Sequence, residues 1–82
     1  MVDFYYVYIL ESLSHPGRFY TGLTQNLLAR LQKHNQGGVP HSAKFKPWQI
    51  KTYIAFKDRA KALAFETYLK SASGRAFAKK RF

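Results

Sequence analysis

"FYYVYIL" (residues 4–10) sets aromatic and β-branched side chains at consecutive positions, without the three-to-four-residue spacing of an amphipathic helix. A stretch with no polar face must be covered on both sides, so it reads as a strand in the middle of its sheet. "SLSHPGRF" (12–19) follows with the Ser, Pro and Gly of a turn, and "RFYTGL" (18–23) resumes strand character. The two runs form a β-hairpin.

Downstream, Thr24 is the expected N-cap of a helix over 25–35, Leu27, Leu28 and Leu31 make its apolar stripe, and Gly37-Gly38 ends it. "GGVPHSAKFKP" (37–47) reads as a loop, and "WQIKTYIAF" (48–56) as a third strand whose alternation through Trp48, Ile50, Tyr53 and Ile54 is loose. Asp58 can cap a helix over 59–72, Ser73-Gly74 would break it, and "RAFAKKR" (75–81) reads as a short, basic final helix. The order is β-β-α-β-α-α. If the first strand runs up, the second and third both run down, so each can be antiparallel only to the first. The expectation is an α+β fold with a three-stranded antiparallel sheet in spatial order 2-1-3, flanked by helices.

At 82 residues the chain is expected to be one domain, 1–82, with only roughly 60% of the unfolded surface buried. Fourteen Lys and Arg against four Asp and Glu give a formal charge of +10, a self-repulsion that makes sense chiefly with a polyanionic partner. Nucleic acid is the first candidate; a membrane surface would call for a basic amphipathic helix with exposed bulky apolar residues, whereas the aromatics here lie mainly in strands. Without cysteine there is neither a disulfide framework nor a thiolate zinc site. The N-terminus has Asp3 near its start and no basic n-region, and no apolar run approaches membrane-spanning length, so a soluble, cytoplasmic protein is expected.

Several residues could carry chemistry. Arg30 and His34 are one helical turn apart and share a face beside Leu27 and Leu31, at the rim of the buried stripe. A snorkelling Arg30, and a His34 favoured by the helix C-terminus, would also account for that placement. Glu66, one of only four acidic residues, falls at the edge of its helix's apolar line, where it could point into a cleft or pair with Lys70. Tyr5, Tyr6, Tyr8 and Tyr20 are more phenols than a small hairpin needs, though each could be core packing with its hydroxyl reaching a partner. No zinc-ligand spacing, phosphate-cradling Gly-rich loop or Ser-His-Asp order is present.

Taken together, "YVY" at 6–8, "YTG" at 20–22, Arg30 eight residues after Gly22, His34 four further on, and Glu66 on the next long helix resemble the GIY-YIG nuclease domain. The resemblance covers almost the whole chain and extends to the element order, and the size suits the small single-domain bacterial members. It implies that Tyr8 closes the first tyrosine triplet, Tyr20 opens the second, Arg30 is the helix arginine, His34 the imidazole below it, and Glu66 the metal-binding glutamate. Tyr6 stands in place of the first glycine and Thr21 in place of an aliphatic residue. Leu23 stands where several active members have lysine, a role Lys44 or Lys46 could take over.

The activity implied is hydrolysis of phosphodiester bonds. Glu66 would hold one divalent ion, Mg2+ or Mn2+, and Arg30 would bind the scissile phosphate through its planar fork. Tyr8 would position or deprotonate the attacking water, Tyr20 would orient the network, and His34 is the other candidate base, a choice the sequence leaves open. Lys44, Lys46, Lys51, Arg75, Lys79, Lys80 and Arg81 would track a phosphate backbone without reading bases. DNA is preferred over RNA as substrate, with selection by structure. A noncatalytic nucleic-acid-binding module and a small basic ribonucleoprotein component are the alternatives.

Overall fold

In the computed structural model, residues 4–82 are described, so the readings placed on Asp3 and the extreme N-terminus lie outside the described residues. The elements are β1 (Tyr5–Ser12), β2 (Phe19–Thr24), α1 (Leu27–Asn35), a short helical turn α2 (Pro40–Ala43), β3 (Trp48–Phe56), α3 (Arg59–Leu69) and α4 (Ala72–Arg81). The sheet has the order β2-β1-β3, and both outer strands are antiparallel to β1. The burial of Val7, Tyr8, Ile9 and Leu10 follows from that central place, with helices covering both faces.

Alternation along β1 divides the core in two. Val7 and Ile9 pack with Ala62 and Leu69 under α3 and α4, joined by Leu23, Phe56, Phe65 and Phe77. Tyr8 and Leu10 point the other way, toward Trp48, Tyr20, Leu27 and Leu31 on the α1 side. β3 serves both cores because it is bulged: Ile9 pairs with Thr52 and Leu10 with Ile50, leaving Lys51 as the extra residue. A bulge shifts the side-chain phase by one. Trp48 and Ile50 therefore face the α1 side, Ile54 and Phe56 share a face with Val7 and Tyr5, and Tyr53 is left exposed. This is why the alternation in the sequence is loose.

The helix ends correct three expectations. Thr24 does not cap α1: its hydroxyl accepts from the Asn26 N–H (3.1 Å), closing a turn, and the Asn26 side chain caps by accepting from the Ala29 N–H (3.0 Å). Leu28 does not belong to the buried stripe but is 75% exposed, because the stripe runs through Leu27, Leu31 and His34. Between α3 and α4 the chain breaks at Lys70-Ser71 rather than Ser73-Gly74. The Ser71 side chain caps α4 by accepting from the Gly74 N–H (3.1 Å). At the other end of α1, Gly37 adopts φ +78 and the Gly38 N–H returns to the Lys33 carbonyl (2.9 Å), an αL termination that confirms the expected stop.

Gly74 does not break a helix; it lets α4 meet the end of α3. A Cβ there would overlap the Tyr68 carbonyl and lie 2.6 Å from the Leu69 Cα, and backbone cannot swing aside as a side chain can. Gly74→Ala should therefore cost about 1–3 kcal/mol or more, the scale of overpacking a tight site. Denaturant midpoints of the two proteins measure it, and the loss should exceed that of Ser73→Ala, an exposed position one residue earlier.

Candidate active site

Tyr8 reaches the α1 side of the sheet directly opposite Gly22 of β2. Its ring lies across that glycine: a Cβ at residue 22 would sit 2.5 Å from the Tyr8 Cζ. The glycine that closes the second triplet thus clears the path along which the first triplet's tyrosine runs. Tyr20 projects from the same face of β2 and meets the His34 ring edge-on, with centroids 4.6 Å apart.

His34 is held there by the end of α1. The Asn35 side chain accepts from the Trp48 N–H (2.6 Å) and donates to the Trp48 carbonyl (3.1 Å), so the last turn of α1 is bonded to the start of β3 on both backbone groups. His34 is not at the rim, as its spacing implied; it is 0% exposed, beneath α2 and against the sheet. Its Nε2 hydrogen-bonds the Tyr8 hydroxyl (3.0 Å) and its Nδ1 the Ser42 hydroxyl (2.6 Å). Ser42, also fully buried, comes from the segment read as a plain loop, and nothing periodic in "GGVPHSAKFKP" marks it.

Burial pushes the Tyr8 phenol above its ordinary value, opposed by the neighbouring Arg30 guanidinium and reinforced by the charges of Tyr20 and Glu66. Burial also lowers His34, and the positive charges of Arg30 and Lys33 lower it further. Phenol and imidazole are both neutral at pH 7. Tyr8 and His34, expected as alternative bases, are hydrogen-bonded to one another.

Arg30 is half-buried one turn above His34, its Nη1 making a long hydrogen bond to the Leu23 carbonyl (3.5 Å) on β2. Glu66 stands on α3, on the opposite side of the sheet from α1, and its field is nonetheless felt at the Tyr8 phenol. Its carboxylate pairs with Lys70 (3.1 Å) while its side chain is 15% exposed, so the expected ion pair is present and the carboxylate is sheltered. The Leu23 side chain packs into the α3-side core. Lys44 rests over the Phe45 ring and the Lys46 ammonium lies beside Gly37, both exposed.

Among the described residues no three His, Asp or Glu side chains converge on a common point. Magnesium does not require them, since it keeps several waters and binds through one or two carboxylates together with substrate phosphate oxygens. A sheltered single carboxylate such as Glu66 fits that donor set.

Beside this cluster a groove of about 990 Å³ runs from Tyr20 and Thr21 across the end of the sheet to α3 and α4. Of the seven expected phosphate-contacting residues, Lys51, Arg75 and Lys79 line it, and no carboxylate does. Lys80 and Arg81 are exposed on the last turn of α4 outside it, and Lys44 and Lys46 lie on the α2 loop. The sequence reading missed Arg18, Lys70, His41 and Phe19 on its walls. The cation set beside two aromatics in "RFY" (18–20) was the available signal for two of them.

The buried pair ties stability to pH at both ends. As pH falls below about 6.5 the unfolded chain protonates His34 while the native state does not, so stability drops with acidification. As pH rises past about 10 the unfolded chain ionises Tyr8 while the native state keeps the phenol, so stability drops again. Melting temperature against pH should show both limbs. His34→Gln should flatten the acid limb and Tyr8→Phe the alkaline one.

The arrangement has counterparts. The GIY-YIG catalytic domain matches residues 4–81. A structure-specific endonuclease subunit SLX1 of Debaryomyces hansenii is 39% identical over 71 residues, covering 78% of this chain and 20% of that protein. The SLX1 homolog of Giardia intestinalis is 34% identical, covering 74% and 18%. This chain thus spans about a fifth of the length of those two relatives. A UPF0213 protein of Lacticaseibacillus paracasei is 37% identical over 67 residues, 80% of this chain and 73% of that one. The solution NMR structure of a UPF0213 protein from Bacillus halodurans superposes with a TM-score of 0.56 at 31% identity, covering 93% of this chain and 80% of that one. With its two tyrosine triplets, its helix arginine and its sheet order all in place, the chain belongs to the GIY-YIG family.

Proposed function

We propose that this protein is a divalent-metal-dependent endonuclease that hydrolyses phosphodiester bonds in DNA and selects its substrate by structure rather than by base sequence. The observation that carries the reading is the Tyr8–His34 hydrogen bond at the glycine gap in β2, with Arg30 on one side of the sheet, Glu66 on the other, and a cationic groove adjoining them. The likeness to proteins named structure-specific endonuclease subunits supports both the reaction and the mode of selection.

Arg30 is permanently charged and bidentate, and half-burial beside a neutral phenol keeps its field strong, so it binds the scissile phosphate and the charge that grows on it. Tyr8 orients the attacking water, and Tyr20 packs the imidazole behind it. Glu66 would hold the metal, which when bound would supply positive charge to offset the negative charge developing at the leaving oxygen. Lys51, Arg75 and Lys79 carry the flanking backbone along the groove, contacts that position the nucleic acid without themselves carrying sequence information.

Cleavage of plasmid and branched DNA with Mg2+ or Mn2+ tests this directly, and no cleavage of either by the wild type would reject it. Arg30→Lys keeps the charge but loses the fork and should slow cleavage at least about a hundredfold, the scale of one lost transition-state donor, with binding nearly unchanged. Glu66→Ala should abolish cleavage and retain binding, while the lost ion pair with Lys70 costs only about 0.3–0.5 kcal/mol.

Binding itself should weaken steeply with salt, because each phosphate neutralised releases counterions. Neutralising Lys51, Arg75 and Lys79 together should lower the slope of log K against log salt by up to about 2.7 on duplex DNA, at roughly 0.9 per contact. Neutralising the off-groove pair Lys80 and Arg81 should lower it less.

A further inference from the structure

Ser42 has no assigned role, yet it is fully buried against the imidazole at the centre of the candidate site. Its hydroxyl has two partners: His34 Nδ1 at 2.6 Å and the Val39 carbonyl at 3.2 Å. A carbonyl can only accept, so the Val39 contact is made only if the Ser42 hydrogen points to it, and the oxygen's lone pairs are then left to accept from Nδ1–H. That assignment places the imidazole hydrogen on Nδ1 and leaves the Nε2 lone pair to accept from the Tyr8 hydroxyl at 3.0 Å.

The opposite tautomer does not fit. With hydrogen on Nε2, the imidazole would donate to the Tyr8 oxygen, and the Tyr8 hydrogen would need a second acceptor. Among the described residues the only acceptor bonded to that hydroxyl is His34, since the neighbouring Arg30 guanidinium can only donate to it, and Tyr8 is 1% exposed. A buried hydroxyl hydrogen left unpaired is destabilising, and among the described residues the structure contains no buried side-chain nitrogen or oxygen without a partner. Ser42 is itself fixed, its carbonyl accepting from the Trp48 indole N–H (3.0 Å) and its N–H bonding to Val39 (3.0 Å).

We propose that Ser42 is a positioning residue that locks His34 in the Nδ1–H tautomer, so that Nε2 stands as the base for the Tyr8 phenol and Tyr8 and His34 form a proton relay. The relay's catalytic use rests on the endonuclease reading above; the tautomer does not. In the reaction, the water oxygen bonds to phosphorus as the water's proton passes to the Tyr8 oxygen and the Tyr8 hydrogen passes to Nε2. The bond from phosphorus to the departing oxygen breaks with its electron pair on that oxygen, which takes a proton from solvent. Tyr8 ends neutral and His34 ends as imidazolium, its second N–H already received by Ser42. A phenol held neutral by burial can thereby deliver base strength without ever carrying a full charge.

The groups facing the imidazole are Tyr8 from β1, Tyr20 from β2, Ser42 from α2, and Arg30 and Lys33 on its own helix. Trp48 of β3 packs on Tyr20 behind it, His41 beside Ser42 is exposed, and no carboxylate hydrogen-bonds to either ring nitrogen.

Nitrogen-15 chemical shifts of His34 in the resting wild-type protein report the tautomer without requiring any cleavage. Hydrogen on Nδ1 is expected; hydrogen on Nε2 overturns the proposal, whatever the activity. In Ser42→Ala the Nδ1–H signature should be lost or mixed, and kcat should fall roughly ten- to a hundredfold, part of the 10²–10⁴ available from proton transfer, with KM unchanged. The acid limb of kcat should shift as well. Ser42→Thr, which restores the hydroxyl, should recover both readouts. A Ser42→Ala protein that keeps the wild-type tautomer and kcat overturns the relay. If the wild type cleaves nothing, the endonuclease reading falls, and the wild-type tautomer still decides whether Ser42 sets the imidazole.

Discussion

The hydrogen bond from the Tyr8 phenol to His34 Nε2 (3.0 Å) joins the central strand to the first helix inside the α1-side core, and the surrounding sequence serves it. Gly22 is bare so that the Tyr8 ring can cross β2, Asn35 bonds to both backbone groups of Trp48 so that the last turn of α1 sits at one depth, and Ser42 takes the other imidazole nitrogen. A polar pair in a small core is destabilising unless every hydrogen is used. Here each is used, and the pair thereby specifies a single arrangement of strand, helix and turn.

Electrostatics point the same way. Of the three carboxylates among the described residues, Asp58 caps α3 and Glu11 sits in the hairpin, accepting a weak bond from the Gly17 N–H. Glu66 alone lies where Tyr8 feels it. Opposite it in sign, Arg30 lowers both Tyr8 and His34, which favours a neutral imidazole and tempers the cost of forming phenolate character. A site so poor in negative charge, beside a groove lined with cations, has a positive local potential.

How far the sequence could be read depended on whether a signal was local. The cap at Asp58 and the stop at Gly37 were legible because each follows from one residue and its immediate neighbours. The N-cap was misplaced by two residues, since Thr24 and Asn26 are both competent and the turn that Thr24 closes decides between them. Gly74 reads as a breaker in the sequence because a glycine needed for close approach and one needed for a turn look the same there. In β3 the bulge at Lys51 put the apolar residues of one strand on two faces, which no single period describes.

By itself, the sequence determined the strand order and the chemical character of the chain. An unbroken apolar run must be central, two flanking strands of one direction must both be antiparallel to it, and the triplets with Arg30, His34 and Glu66 stand at spacings that survive in the linear text. Tertiary structure alone decided the depth of His34, its union with Ser42, and the gathering of Arg18, Lys51, Arg75 and Lys79 around one groove. The reason is physical. Residues 8, 34 and 42 meet only because β1, α1 and α2 converge on a shared core, and a contact between segments so far apart leaves no periodicity for a sequence to display.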